Sequence, residues 1–197
     1  MSPLGPDDHA ADTDLLRRIV AGDSGAIGLL YDRHASVLFP VALRIVRERS
    51  EAEDVLHDAF VAVRERAGQF SEERGTAIAW LVTLVRNLSI DRTRRRDRRG
   101  AIVRDVLMNE PSARAAGPEQ LTAGAEEREK LLRALSTLPD VQRATLEIAF
   151  YEGLSYPEIA EREGVPLGTV KSRAARAITT LREALVREGL IGRESDE

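Results

Sequence analysis

Three groups of side chains in this chain have the types and spacing to do chemistry. The first is an arginine-rich stripe, in which eight Arg stand against two Asp between Arg86 and Arg104. Such a stripe suggests a polyanion, and Arg86, Asn87, Asp91, Arg92, Arg95 and Arg96 are its candidate contact residues. The second group is Glu53, Asp54, His57 and Asp58, one helical turn apart, with Arg44 and Arg47 upstream. Such a carboxylate row beside an apolar edge suits a basic helical partner. It also reads as a solvated acidic face, or as a metal site whose ligands are too few to complete a shell. The third group is Thr169, Lys171, Ser172, Arg173 and Arg176. At about 100° per residue these fall on the outer side of a helix whose inward stripe is Val170, Ala174, Ala177, Ile178 and Leu181. Arg can bridge guanine O6 and N7, and Ser, Thr and Lys can engage phosphates or other base edges.

The elements that must position these groups read as helices throughout. Ile27, Leu30, Tyr31, His34, Leu38, Val41 and Ile45 make one apolar stripe; Val55, Leu56, Phe60 and Val63 make another; Ile78, Leu81, Leu84, Val85 and Leu88 make a third. Nothing alternates like a strand. Pro40 lies inside the first stripe and predicts a kink, or a break near Phe39. Trp80 lies among Ile78, Leu81 and Leu84, which favours core packing over a stacking wedge. A second block contains Leu131, Leu135 and Leu138, a break at Pro139, then Val141, Leu146 and Ile148. Ser155 followed by Glu158 is a capping-box spacing, Pro157 fits the first turn, and Gly164 ends the helix so begun. The stretch from Leu154 to Ile178 is therefore a capped helix, a short turn and a second helix, the arrangement that sets a recognition helix into a DNA major groove.

The predicted organisation is all-α. A disordered tail covers 1–11, a helical domain 12–99, a flexible acidic linker 100–124, a helix-turn-helix domain 125–189 and a C-terminal tail 190–197. The linker is inferred from Pro111, Gly117 and Pro118 among acidic residues with few apolar anchors.

Composition narrows the functions further. The chain has 197 residues with 43% hydrophobic and 31% charged, and a net charge of −4 that conceals an acidic body carrying one dense basic stripe. It has no Cys and three separated His, which excludes disulfides, thiolate catalysis and cysteine-ligated zinc. No stretch of 18 apolar residues occurs, and the start MSPLGPDDHAAD has neither the basic beginning nor the apolar core of a signal peptide. The expectation is a cytoplasmic protein with no cofactor, no metal, no catalytic residue, no small-molecule substrate and no insertion into a membrane.

The stretch GLSYPEIAEREGVPLGTVKSRAARA resembles region 4 of the extracytoplasmic-function sigma factors. LYDRHASVLFPVALRIVRERSEAEDVLHDAFVAVRER, followed by FSEERGTAIAWLVTLVRNLSIDRTRRR, is similar to their region 2, including AlaGluAspVal at 52–55 and the spacing of Arg86, Asn87 and Asp91. The two matches come in the family's order, with a linker and no region 3 between them. His57 stands where the family commonly has Gln, and Pro166 where Ser is frequent.

The resemblance implies a protein that binds core RNA polymerase and directs promoter-specific transcription initiation. Arg44, Arg47, Glu53, Asp54, His57 and Asp58 would dock on the polymerase clamp helices. Phe70, Ser71 and Arg74 would lie in the loop that holds a base flipped from the minus-ten element, and the helix from Thr76 to about Arg98 would read that element. Melting without ATP requires tighter binding to the single strand than to the duplex. Thr169, Lys171, Ser172, Arg173 and Arg176 would meet the minus-thirty-five element, and an anti-sigma factor would hold the protein inactive. Two modest DNA sites on a tether gain affinity once polymerase fixes their spacing, so promoter binding by the isolated protein is expected to be weak. Two rival readings remain open at this stage: an ordinary helix-turn-helix regulator, and a helical metal-dependent phosphohydrolase around His57 and Asp58.

Overall fold

A computed structural model describes residues 6–104 and 125–190, and these form two compact helical units, one from each range. Residues 1–5 and 191–197 of the expected tails and 105–124 of the expected linker lie outside the described residues. No strand occurs among those described.

The first unit contains four helices: α1 (Pro6–Val20), α2 (Ser24–Val46), α3 (Arg49–Arg66) and α4 (Ala77–Arg104), with short 3-10 turns at Ala67–Gln69 and Glu72–Arg74. All three predicted stripes contribute to its core. Leu30 and Leu38 of α2, Val55 and Val63 of α3, and Leu81 and Val85 of α4 are almost wholly buried, with Leu16 of α1 completing the layer. Each such side chain contributes roughly 1.5–3 kcal/mol by leaving water. Caps define the helix starts. Asp23 Oδ1 accepts from the Gly25 amide at 2.9 Å, and the Arg18 guanidinium beside Asp23 holds its carboxyl below the usual value. Glu48 does the same for α3, accepting from the amides of Ser50 and Glu51 at 3.0 and 2.8 Å.

In this unit two expectations need correction, and of the two outcomes expected at Pro40 the break does not occur. Pro6 to Ala11, expected as disordered tail, form the first turns of α1. The helix is anchored one residue further on by Asp12, whose buried carboxylate meets His34 Nε2 at 2.8 Å and accepts from Arg33 Nη1 at 3.0 Å. Pro40 does not end α2, which runs through it. Its flanking residues Leu38 and Ala42 are fully buried between neighbouring helices, and packing outweighs a lost backbone bond costing about 3 kcal/mol. Gly100 to Arg104, assigned to the linker, continue α4, since one interior glycine costs a helix only about 1 kcal/mol.

The second unit comprises α5 (Ala125–Ser136), α6 (Asp140–Glu147) with a wide π turn at Ile148–Glu152, α7 (Tyr156–Glu163) and α8 (Leu167–Arg187). Pro139 separates α5 from α6 as predicted. The capping box at the start of α7 is formed on both sides: Ser155 Oγ accepts from the Glu158 amide at 3.5 Å, and Glu158 Oε2 accepts from the Ser155 amide at 2.7 Å. Gly164 ends α7 at φ +65°, a left-handed conformation that a side chain would strain. Pro166 precedes α8 without any side-chain cap. The core is small: Ile159, Val170, Ala174 and Ala177 are buried, together with Ala134 and Leu138. Ile178, expected on the inward stripe, is half exposed. The buried line runs through Val170, Ala174, Ala177 and Ala184, and Ile178 falls roughly 80° to its side.

Candidate functional site

The outer face of α4 begins at a cavity. Gln69, Phe70, Ser71, Arg74, Gly75, Thr76, Ala79, Trp80 and Thr83 enclose a hollow of about 200 Å³ between the 3-10 turns and the start of the helix. Gly75 turns the chain at φ +129°, which lets the loop fold back over α4. Phe70 and Trp80 meet edge to face with centroids 6.1 Å apart. Trp80 is half-buried, packing on the core with one side, as expected, and lining the cavity with the rest. Stepping four residues at a time from Ala79 gives Thr83, Asn87, Asp91 and Arg95, all exposed, on a ridge that winds about 40° around the helix at each step. Hydroxyl, amide, carboxylate and guanidinium groups thus follow one another from the cavity along the helix.

Sequence reasoning found Phe70, Ser71, Arg74, Asn87, Asp91 and Arg95 on this face, but missed Thr76, Ala79 and Thr83. Counting back from Asn87 at helical spacing would have found them. Arg86 lies off this ridge and is half-buried, with Nη1 donating to Asn87 Oδ1 at 3.0 Å. Burial, followed by the charge of Arg94, pulls its guanidinium below the ordinary value.

The remaining two arginines of the group are engaged within the protein. Arg92 Nη2 donates to Asp54 Oδ2 at 2.6 Å, with its Nη1 3.8 Å from Asp58. Arg96 Nη1 donates to the Val46 carbonyl at 3.0 Å and to Glu51 Oε2 at 3.1 Å. Residues expected on two different surfaces therefore meet each other across the α3–α4 seam.

Glu53, Asp54, His57 and Asp58 are all exposed on α3, and Arg44 and Arg47 are exposed at the end of α2. Arg47 adopts a left-handed conformation at φ +64°, and its amide donates to the Leu43 carbonyl at 2.8 Å, closing α2. Glu53 Oε1 accepts from Arg49 Nε at 2.9 Å. Val61, one turn beyond His57, is half exposed and continues this face as an apolar edge that the sequence reading did not name. Among the described residues, no group of three or more His, Asp and Glu is arranged to hold a metal ion.

In the second unit, Lys171 and Arg176 are exposed on α8, whereas Thr169, Ser172 and Arg173 are partly covered. Ser172 Oγ donates to the Thr169 carbonyl at 2.9 Å, and Arg173 Nη1 donates to Glu163 Oε2 of α7 at 2.8 Å. Arg162 pairs with Glu152, which raises the arginine above its ordinary value and ties α7 to the π turn. Leu167 and Ala175 are also exposed on α8 and were not anticipated.

An arginine-bearing helix running from a loop-covered cavity, in a chain that also carries a helix-turn-helix, has the features of a nucleic-acid-binding protein. The comparisons specify which kind. Residues 30–99 match the family model for Sigma-70 region 2, and residues 128–181 match that for Sigma-70, region 4. The ECF RNA polymerase sigma factor SigK of Mycobacterium tuberculosis is 31% identical over 184 residues, covering 92% of this chain and 97% of the relative. SigK of a further Mycobacterium strain is 32% identical over 178 residues, covering 87% of this chain and 89% of the relative. Among solved structures, Rhodobacter sphaeroides SigE in complex with the anti-sigma ChrR is 28% identical, covering 87% of this chain and 96% of that one, with a TM-score of 0.44. The chain belongs to the extracytoplasmic-function family of RNA polymerase sigma factors. No described helix is long and apolar enough to cross a membrane.

Proposed function

We propose that the chain carries out initiation through three separate surfaces and has no catalytic residue of its own. Arg44, Arg47, Glu53, Asp54, His57 and Asp58, with Val61, form the docking face for core RNA polymerase, whose complementary surface is basic and helical. The cavity behind Phe70, Ser71 and Arg74 receives an extruded base of the minus-ten element, while Asn87, Asp91 and Arg95 follow the strand onward. Lys171 and Arg176, supported by Thr169, Ser172 and Arg173, bind the minus-thirty-five element as duplex. An anti-sigma factor of the kind associated with this family covers these faces when the protein is inactive. The site of action is the cytoplasm, where the polymerase works.

The observation that carries this reading is the exposed, winding ridge from the cavity through Thr83, Asn87 and Asp91 to Arg95. It offers stacking, base-edge and phosphate partners in the order a displaced strand would meet them. The test is transcription by sigma-free core polymerase on a genomic promoter library, with start sites mapped for the wild type, Glu53→Arg and Asn87→Ala. Starts sharing a two-part upstream motif, diminished in both variants, support the reading. DNA binding with no new starts and no association with polymerase would overturn it in favour of a conventional helix-turn-helix regulator.

A further inference from the structure

Arg96 lies on the face of α4 turned toward the corner between α2 and α3. Its Nη1 directs hydrogen bonds to both sides of that corner, to the Val46 carbonyl at 3.0 Å and to Glu51 Oε2 at 3.1 Å. Val46 is the last residue of α2 and fully buried; Glu51 is in the first turn of α3. Between them the chain makes its turn through the left-handed Arg47 and the capping residue Glu48. One helical turn earlier, Arg92 reaches Asp54 and Asp58. Carboxylates at 51, 54 and 58 therefore face arginines at 92 and 96 along a single seam, and Arg95 is exposed beside it.

We propose that Arg96 is a positioning residue for polymerase docking: it staples the α2–α3 corner to α4 and so sets the direction of Arg44, Arg47 and the α3 face. The inference rests on the reading of α3 as the docking helix. It also moves Arg96 out of the set of minus-ten contacts. Nη1 is committed to Glu51 and to a carbonyl at a helix end, where no intrahelical partner exists, so a phosphate could be met only through the remaining Nε and Nη2 donors. The two N–H bonds of Nη1 are held at fixed directions in the guanidinium plane, one for each acceptor, an orientation that a freely rotating lysine ammonium on a flexible stem does not fix. Lysine nevertheless keeps the charge, and this separates the two roles.

The experiment uses the full chain and core RNA polymerase. Core affinity is read without DNA by fluorescence anisotropy of labelled protein, and the reconstituted holoenzyme is then titrated onto a minus-ten fork-junction DNA at several salt concentrations. Arg96→Lys is expected to bind core about tenfold more weakly, the equivalent of one charged hydrogen bond, with an unchanged salt slope on DNA. Arg96→Glu is expected to weaken core binding further, and Glu51→Arg combined with Arg96→Glu to recover part of the loss, because the pair is restored with its charges exchanged. Should Arg96→Glu fail to fold, the exchanged pair and Arg96→Lys carry the test. Core binding by Arg96→Lys equal to wild type, with a salt slope reduced by about one in Arg96→Glu and not recovered by the exchange, would overturn the inference and make Arg96 a phosphate contact. Glu53→Arg separates the two levels of the argument. If it binds core as tightly as wild type, the docking face itself is wrong; if it is weakened while Arg96→Lys is not, only the staple is.

Discussion

Arg173 of the second helix of the helix-turn-helix and Glu163 of the first are joined at 2.8 Å, each with about a quarter of its side chain exposed. The pair bridges the turn at Gly164 and so helps to set the angle at which α8 is presented. Glu163→Gln is expected to lower the stability of this unit by about 0.5–1 kcal/mol, measured by urea unfolding, and a double-mutant cycle with Arg173→Ala should show coupling of similar size. Arg176→Ala should behave differently. It is exposed, so stability should stay within about 0.5 kcal/mol, while binding to a minus-thirty-five duplex weakens by about 1–3 kcal/mol and discriminates less at one position.

Filling the cavity beside α4 tests its use directly. Ala79 is exposed and lines the hollow, so Ala79→Leu adds bulk where a base is expected without disturbing the core. Holoenzyme carrying this variant should bind single-stranded minus-ten DNA at least about tenfold more weakly, in line with the loss of one stacked base. Its affinity for a minus-thirty-five duplex should be unchanged. Equal loss on both DNAs would point to misfolding instead.

The cap of α3 makes stability depend on pH. The Ser50 hydroxyl, and then the amides of Glu51 and Ser50, hold the Glu48 carboxyl below its usual value of 4.5. A carboxylate with a depressed folded value stabilises the native state above its unfolded value, and that contribution disappears as pH falls through the folded value. The difference in melting temperature between wild type and Glu48→Gln should therefore be constant above the ordinary carboxylate range and vanish in acid. A difference that persists below it would assign the capping to a neutral hydrogen bond.

Asp12 is the buried anchor of α1, almost inaccessible to solvent and in contact with both His34 and Arg33. Asp12→Ala removes the acceptor that the buried His34 faces, and is expected to cost about 3 kcal/mol in urea unfolding. Hydrogen exchange should show the extra opening concentrated in α1.

The boundaries of the two helices in the helix-turn-helix were legible because their signals are local. Ser155 and Glu158, three apart, make the capping box, and Gly164 closes α7 by its own conformational freedom. The apolar stripes of α2, α3 and α4 were legible for the same reason: a period of 3.6 residues is written along a single helix. Asn87, Asp91 and Arg95 shared a face for anyone counting in fours, and Thr83 and Ala79 could have been reached by the same count.

What the chain order alone could not supply was the partner of each charged group. Arg92 and Arg96 belong by composition to the same basic run as Arg95, yet they meet Asp54, Glu51 and Val46, which are 38 to 50 residues earlier. Only the packing of α3 against α4 decides which side of the arginine helix faces carboxylates and which faces solvent. The same holds for Pro40, a helix breaker by local rule, which sits inside α2 because the burial of Leu38 and Ala42 outweighs one missing bond. It holds also for the first turns of α1, which look like polar tail until Asp12 finds His34 across the bundle. Helical period, caps and residue chemistry are properties of neighbours in the chain; ion pairing and burial are properties of neighbours in space, and they come into being only when the helices close on one another.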